Sequence, residues 1–100
     1  MAGDITDSEL IELFTEAGHR HHAAYADADG ADPEWPLFYA AYVQTKLWDR
    51  LGVLLARSEL VHVFVGSELA IRRGESAGEW PEVYATRLRA FTEAKAAAAR

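Results

Sequence analysis

Thr6-Asp7-Ser8-Glu9-Leu10-Ile11-Glu12-Leu13-Phe14-Thr15-Glu16-Ala17-Gly18-His19-Arg20-His21-His22-Ala23-Ala24-Tyr25-Ala26-Asp27-Ala28 is the stretch on which the fold turns. Thr6 followed by Glu9 is the signature of a capping box, in which each side chain satisfies a backbone N–H that the first helical turn leaves without a partner. Ile5 and Leu10 flank the cap at the positions of a hydrophobic staple. At about 100° per residue, Leu10, Phe14, Ala17, His21, Ala24, Tyr25 and Ala28 share one stripe, and Glu9, Glu12, Glu16, His19 and Ala23 fall mainly on the other side. The pattern predicts an amphipathic helix over 7–28 whose apolar face carries one histidine. The next breaker is Gly30.

Beyond it, Asp32-Pro33-Glu34-Trp35 has the chemistry of a turn, with Asp first and the preset φ of Pro second. Pro36 then suits the first position of a helix, where its missing N–H costs nothing. A second helix is expected over 36–56, burying Leu37, Ala40, Ala41, Gln44, Leu47, Trp48, Leu51, Leu54 and Leu55, with Gly52 as its weak point at up to about 1 kcal/mol relative to Ala. Ser58 reads as the N-cap of a third helix over 59–73, with Arg72 and Arg73 suited to its C-terminal end and Gly74 as its stop. The β-branched run Leu60 to Val65 makes a strand the rival reading there. It does not alternate cleanly, and no second strand candidate exists to pair with it. After a polar connection, a fourth helix is expected over 81–98, marked by Val83, Tyr84, Leu88, Phe91 and Ala94 or Lys95. The alanine-rich end has high helix propensity and little to bury, so its last turn should fray.

The segments echo one another. Ser8-Glu9-Leu10-Ile11 with Phe14 resembles Ser58-Glu59-Leu60-Val61 with Phe64, and Glu34-Trp35-Pro36 with Tyr39-Ala40 recurs as Glu79-Trp80-Pro81 with Tyr84-Ala85. Two readings are open: an internal duplication, or common ways of starting helices. Either leads to an all-α fold, a four-helix unit made of two antiparallel helical hairpins in a single domain over 1–100.

Composition bounds the function. Half of the 100 residues are hydrophobic, so the chain can build one core. It has no cysteine, which removes disulfides, thiolate zinc sites and cysteine nucleophiles. The net charge of −6 disfavours nucleic-acid backbones and anionic membranes as partners. No window reaches the roughly 18 apolar residues of a membrane span, and Met1 is not followed by a basic segment and an apolar run, so the expected location is cytoplasmic. No serine sits in a nucleophile elbow and no glycine-rich phosphate loop exists. Asp27, Asp29 and Asp32 lack the spacing and closing glutamate of a calcium loop. Glu16 with His19 and Glu59 with His62 have the Glu-x-x-His spacing of di-iron bundles, but both pairs fall on polar faces and the bridging carboxylates are missing. No metal and no cofactor are therefore expected.

His21 and Gln44 are polar residues on apolar faces, each about eight residues from the first connection, or roughly 12 Å along its helix. An antiparallel hairpin would bring them level. Because an unpartnered buried polar group costs about 1–3 kcal/mol, they are expected to bond each other or share a water. As structure, the pair fixes the register. As function, it lines a small-molecule pocket with His22, Tyr25, Trp35 and Tyr39. Helices 2 and 3 also carry more apolar surface than one side can bury. Phe38, Tyr42, Val61, Val65 and Leu69 are the candidate surface for a homodimer or a partner helix, unless an irregular bundle covers them itself. The expected function is a non-enzymatic, self-associating helical module, and the alternative is a ligand-binding protein or small enzyme using the His21 and Gln44 cluster.

The run His21-His22-Ala23-Ala24-Tyr25 through Asp29-Gly30-Ala31-Asp32-Pro33-Glu34-Trp35-Pro36-Leu37-Phe38-Tyr39-Ala40, with Arg57-Ser58-Glu59-Leu60-Val61, resembles a pattern found in small uncharacterised bacterial all-helical proteins. The resemblance covers about half the chain and implies an all-helical fold; it implies no activity, cofactor or partner.

Overall fold

The computed structural model describes residues 5–28, 32–47, 50–76 and 78–98. They form four α-helices, α1 (Asp7–Ala24), α2 (Trp35–Leu47), α3 (Arg57–Arg72) and α4 (Trp80–Ala98), with one 3-10 turn at Ala26–Ala28. No strand occurs among the described residues, and Leu60 to Val65 lies within α3. Each helix packs on its neighbours in a closed ring, α1 on α2, α2 on α3, α3 on α4 and α4 on α1.

The helices alternate in direction. At one end, Ile5 N donates to Arg50 O (3.3 Å), Arg89 Nη2 donates to Ile5 O and Asp7 Oδ1 (3.0 and 2.9 Å), and Lys95 Nζ reaches Leu54 O and Glu59 Oε1 (2.9 and 2.7 Å). The starts of α1 and α3 thus meet the ends of α2 and α4. At the other end the starts of α2 and α4 interlock, Trp35 against Tyr84 and Tyr39 against Trp80. This is an antiparallel four-helix bundle of two hairpins.

The α1 cap forms as its residues dictate: Thr6 N donates to Glu9 Oε1 (2.9 Å) and Glu9 N to Thr6 Oγ1 (3.1 Å). The α3 start corrects the expectation that Ser58 caps it. The N-cap is Ala56, and Glu59 Oε1 accepts from Ala56 N (2.8 Å), which is half of a capping box with no side chain to supply the other half. Ser58 lies inside the first turn and is exposed. Glu59 at the third helical position sets this start, because its carboxylate reaches the cap N–H only from there.

Two helices are shorter than their periodicity predicts. The first ends at Ala24, not 28, with Tyr25 as its C-cap. Ala24, Tyr25 and Ala28, the last members of its stripe, are exposed, so nothing rewards a further turn. The second ends at Leu47, not 56. Gly52 adopts φ 83°, left-handed geometry that glycine enters without steric cost, and the chain turns so that Leu51 folds back into the core. Three residues expected on the buried arc of that helix are exposed instead, Leu37 at 49%, Leu54 at 54% and Ala41. Trp48 lies outside the described residues.

Core positions repeat between the hairpins. Leu10, Phe14 and Ala17 of α1 are fully buried, and so are their counterparts Leu60, Phe64 and Ser67 of α3. Ala40 and Val43 of α2 are matched by Ala85 and Leu88 of α4. The contacts are reciprocal too. Phe14 meets Phe64 edge to face at 5.6 Å, Phe14 meets Tyr84, and Phe64 meets Tyr39. Arg50 bridges to Glu9 as Lys95 does to Glu59. The bundle is therefore pseudo-twofold about its long axis, and the shared starting signals are the sequence trace of that symmetry.

Candidate functional site: an aromatic cleft at one end of the bundle

The two Glu-Trp-Pro starts bring α2 and α4 to the same end of the bundle, where their first turns present Trp35 with Tyr39 and Trp80 with Tyr84. Within each helix the tryptophan and tyrosine are four residues apart, one turn, and meet edge to face at 5.6 and 5.1 Å. Across the axis, each tryptophan lies against the other helix's tyrosine, at 6.4 and 6.0 Å. With His21, Asp32 and Glu68, these four rings line a cleft of about 390 Å³.

Gly18 of α1 makes this packing possible. A Cβ there would lie 2.9 and 3.1 Å from the Trp80 ring and 3.4 Å from the Tyr39 hydroxyl. The counterpart of Gly18 on α3 is Glu68. One wall therefore yields space to an indole, and the opposite wall carries a carboxylate.

His21 is buried at the rim. Its Nε2 lies 3.1 Å from Asp32 Oδ2, and its ring is enclosed by those of Tyr25, Phe38 and Tyr39. Asp32 also accepts from Glu34 N through Oδ1 (3.0 Å), while its carbonyl accepts from Trp35 N (3.1 Å), closing the expected turn. Burial alone would raise the Asp32 carboxyl. The hydrogen bonds from His21 and the Glu34 amide outweigh it and hold the group below the usual carboxylate range. Asp32 is thus an anion, and the His21 Nε2 carries the proton between them.

The pairing expected for His21 is corrected. Gln44 stands on the α3 side of α2, where Nε2 donates to Leu55 O (3.2 Å) and Oε1 accepts from Arg57 Nε (3.2 Å). His21 and Gln44 are not level because α1 stops at Ala24. That places His21 within the last turn of its helix and Gln44 more than two turns into the next. Of the proposed pocket, the structure brings together His21, Tyr25, Trp35 and Tyr39. His22 is exposed and Gln44 is elsewhere. Asp32, Glu68, Trp80 and Tyr84 join the site without having been foreseen. The repeated Glu-Trp-Pro start was the signal for Trp80 and Tyr84; nothing local marks Glu68.

The tyrosines are kept neutral. Burial raises the phenols of Tyr39 and Tyr84, and the nearby negative charge of Glu68 raises both further. Neither hydroxyl has a hydrogen-bond partner among the described residues, and neither is a buried polar atom: both open toward the cleft. Glu68 itself accepts from Arg72 Nε (3.2 Å), a pair one turn apart with Arg72 well exposed.

A second hollow of about 300 Å³ lies at the opposite end, among Leu47, Leu51, Leu54, Leu55 and Leu60. The polar side chains on its rim, Gln44, Glu59 and Lys95, are all bonded to protein groups. Among the described residues no group of three or more His, Asp or Glu side chains could hold a metal ion. Glu16 accepts from the Tyr42 hydroxyl and Glu59 from Lys95 instead. No described helix is long and apolar enough to cross a membrane.

The surface residues proposed for dimerisation separate into two groups. Phe38 and Tyr42 face α1, Phe38 against His21 and Tyr25, and Tyr42 donating to Glu16. Val61, Val65 and Leu69 follow Arg57 along α3 at one-turn intervals, on or beside the edge that Arg57 shows to α2 through Gln44. On α2, Ala41 and Leu37 precede Gln44 on the matching edge. Comparison of the chain with models of known protein families, with curated proteins and with solved structures finds no match, so the resemblance to small bacterial helical proteins rests on the quoted residues alone.

Proposed function

We propose that the protein is a non-enzymatic helical interaction module that self-associates through the outer face of α2 and α3. The observation that supports this reading is where apolar surface is left uncovered. Among the described residues, the large apolar side chains exposed within helices are Leu37, at 49%, and Val65 and Leu69, at 39% and 43%, while Leu54 and Tyr25 are exposed in the connections. The three within helices lie on α2 or α3, and the outer faces of α1 and α4 are charged or small.

Charge selects a second copy as the occupant. The chain carries −6 overall, so two copies repel unless they meet where carboxylates are absent. α2 contains neither Asp nor Glu, and the two glutamates of α3, Glu59 and Glu68, are paired with Lys95 and Arg72. Laid against its own copy, the edge of Leu37, Ala41, Val61, Val65 and Leu69 buries apolar surface at the least electrostatic cost, and a twofold arrangement closes it.

The non-enzymatic part rests on the state of His21. Its ring is enclosed by aromatic side chains, and its bond to Asp32 ties the α1–α2 connection to the bundle. Its side-chain partner among the described residues is the Asp32 carboxylate, and no hydroxyl is hydrogen-bonded to it there.

Sedimentation equilibrium checks the self-association. The wild-type chain is expected to dimerise with a Kd on the order of 10–100 µM, the range of a small apolar interface. Leu69→Glu is expected to be monomeric with unchanged helix content. A wild-type chain that stays monomeric into the millimolar range, or a variant that dimerises equally well, overturns the proposal.

A further inference from the structure

We propose that the cleft between Trp35, Tyr39, Trp80 and Tyr84 binds the head group of a protonated alkylamine. The ammonium charge is shared between the ring faces and Glu68, and an N–H donates to the Tyr84 hydroxyl. This goes beyond self-association and does not depend on it.

The lining selects the sign of the ligand. Four aromatic side chains form most of the wall, and the faces of indole and phenol rings attract cations. Among the described residues no lysine or arginine lines the cleft, and its carboxylates are Glu68 and Asp32. Asp32 is already engaged by His21 and by the Glu34 amide, so Glu68 is the carboxylate left to meet a ligand. Its pair with the exposed Arg72 costs little to exchange, as for any solvent-facing ion pair. An anion would meet Glu68 with nothing to offset the repulsion, and a neutral molecule would gain the ring contacts without the charge.

The Tyr84 hydroxyl supplies the cleft with an acceptor for an N–H donor. No buried side-chain N or O among the described residues lacks a partner, so this hydroxyl is one that opens into the cleft, where a donor can reach it. Tyr84 is 3% exposed, lines the cleft, and has no hydrogen-bond partner among the described residues. Burial and the Glu68 charge keep its proton on, so it stays a neutral hydroxyl whose oxygen accepts from an ammonium. Tyr39, its counterpart, offers a second such oxygen.

The pseudo-symmetry isolates what packing does not explain. Leu10, Phe14 and Ala17 on α1 have close structural equivalents at Leu60, Phe64 and Ser67 on α3. At the next position the equivalence fails: Gly18 admits the Trp80 ring, and Glu68 sets a carboxylate beside the tyrosines.

The test is a titration of the full chain at neutral pH and constant ionic strength, followed by NMR through the indole N–H signals of Trp35 and Trp80. The probes are n-butylammonium, 1-butanol and butyrate. Butylammonium is expected to shift both signals saturably and to bind at least about tenfold tighter than either of the others. Glu68→Gln is expected to weaken it about tenfold, and Tyr84→Phe several-fold, with the remaining spectrum of each variant unchanged. Three results overturn the proposal: no saturation by butylammonium, butanol binding as tightly, or undiminished affinity in a folded Glu68→Gln chain.

Discussion

Asp32 shows how much of this end of the bundle hangs on one carboxylate. It caps the turn into α2, receives the His21 ring and lies beside the Tyr25 hydroxyl, which its charge pushes to a higher pKa. Its own pKa is depressed, as are those of Glu9, held by the Thr6 amide, and Glu59, held by Lys95. The sign follows from linkage. A carboxyl depressed in the folded state contributes in full above its unfolded value, about 4, and loses that contribution as pH falls through the lower folded value. Asp32→Asn is therefore expected to be less stable than wild type at pH 7, with the gap closing as pH falls toward 2. Urea denaturation across that range checks it; a gap that is independent of pH counts against an ionised Asp32. Asp32 was legible as a turn residue, because turn chemistry is local. Its bond to His21 was not, because it depends on where α1 stops.

At the level of elements, two glycines inside helices have opposite roles. In a helix interior, Gly is worse than Ala by about 1 kcal/mol. At Gly66, an added methyl meets only Arg87 Nη2, at 3.2 Å, the far end of a flexible side chain. Gly66→Ala is expected to stabilise the protein by about 0.5–1 kcal/mol. At Gly18 the methyl would sit 2.9 Å from an indole wedged between other rings. Gly18→Ala is expected to cost about 1–3 kcal/mol in spite of the better propensity. Thermal unfolding of the two variants side by side decides it, and stabilisation of both would mean that Trp80 has room to move. The helices themselves were readable because the period of 3.6 and the capping box are written in neighbouring residues. Two ends were misplaced for a common reason: periodicity continues past Ala24 and Leu47, but burial does not. The α3 start was misplaced by two residues because Ser58 is the better cap by type, whereas Glu59 fixes the geometry.

In the whole molecule, the pseudo-twofold relation makes Phe14 and Phe64 equivalent. Each is fully buried, each meets the other edge to face, and each packs on the partner hairpin's tyrosine. Phe14→Ala and Phe64→Ala are each expected to cost about 3–5 kcal/mol, a large part of the 5–15 kcal/mol typical of a domain. Their costs should agree to within about 1 kcal/mol, and the double variant should fall short of the sum, because the two residues touch. Denaturant curves for the three variants test this; a strongly unequal pair would show that the halves share a pattern but not an energetic role. The helical character, the two hairpins and the repeated starts were determined by the sequence itself, since capping, turn chemistry and apolar period act over a few residues. Which polar groups meet was decided only in three dimensions. Gln44 went to Leu55 and Arg57, His21 to Asp32, and Glu68 to a cleft bounded by side chains from α1, α2 and α4, because such pairings depend on helix ends and rotations that packing sets and no local run of residues records.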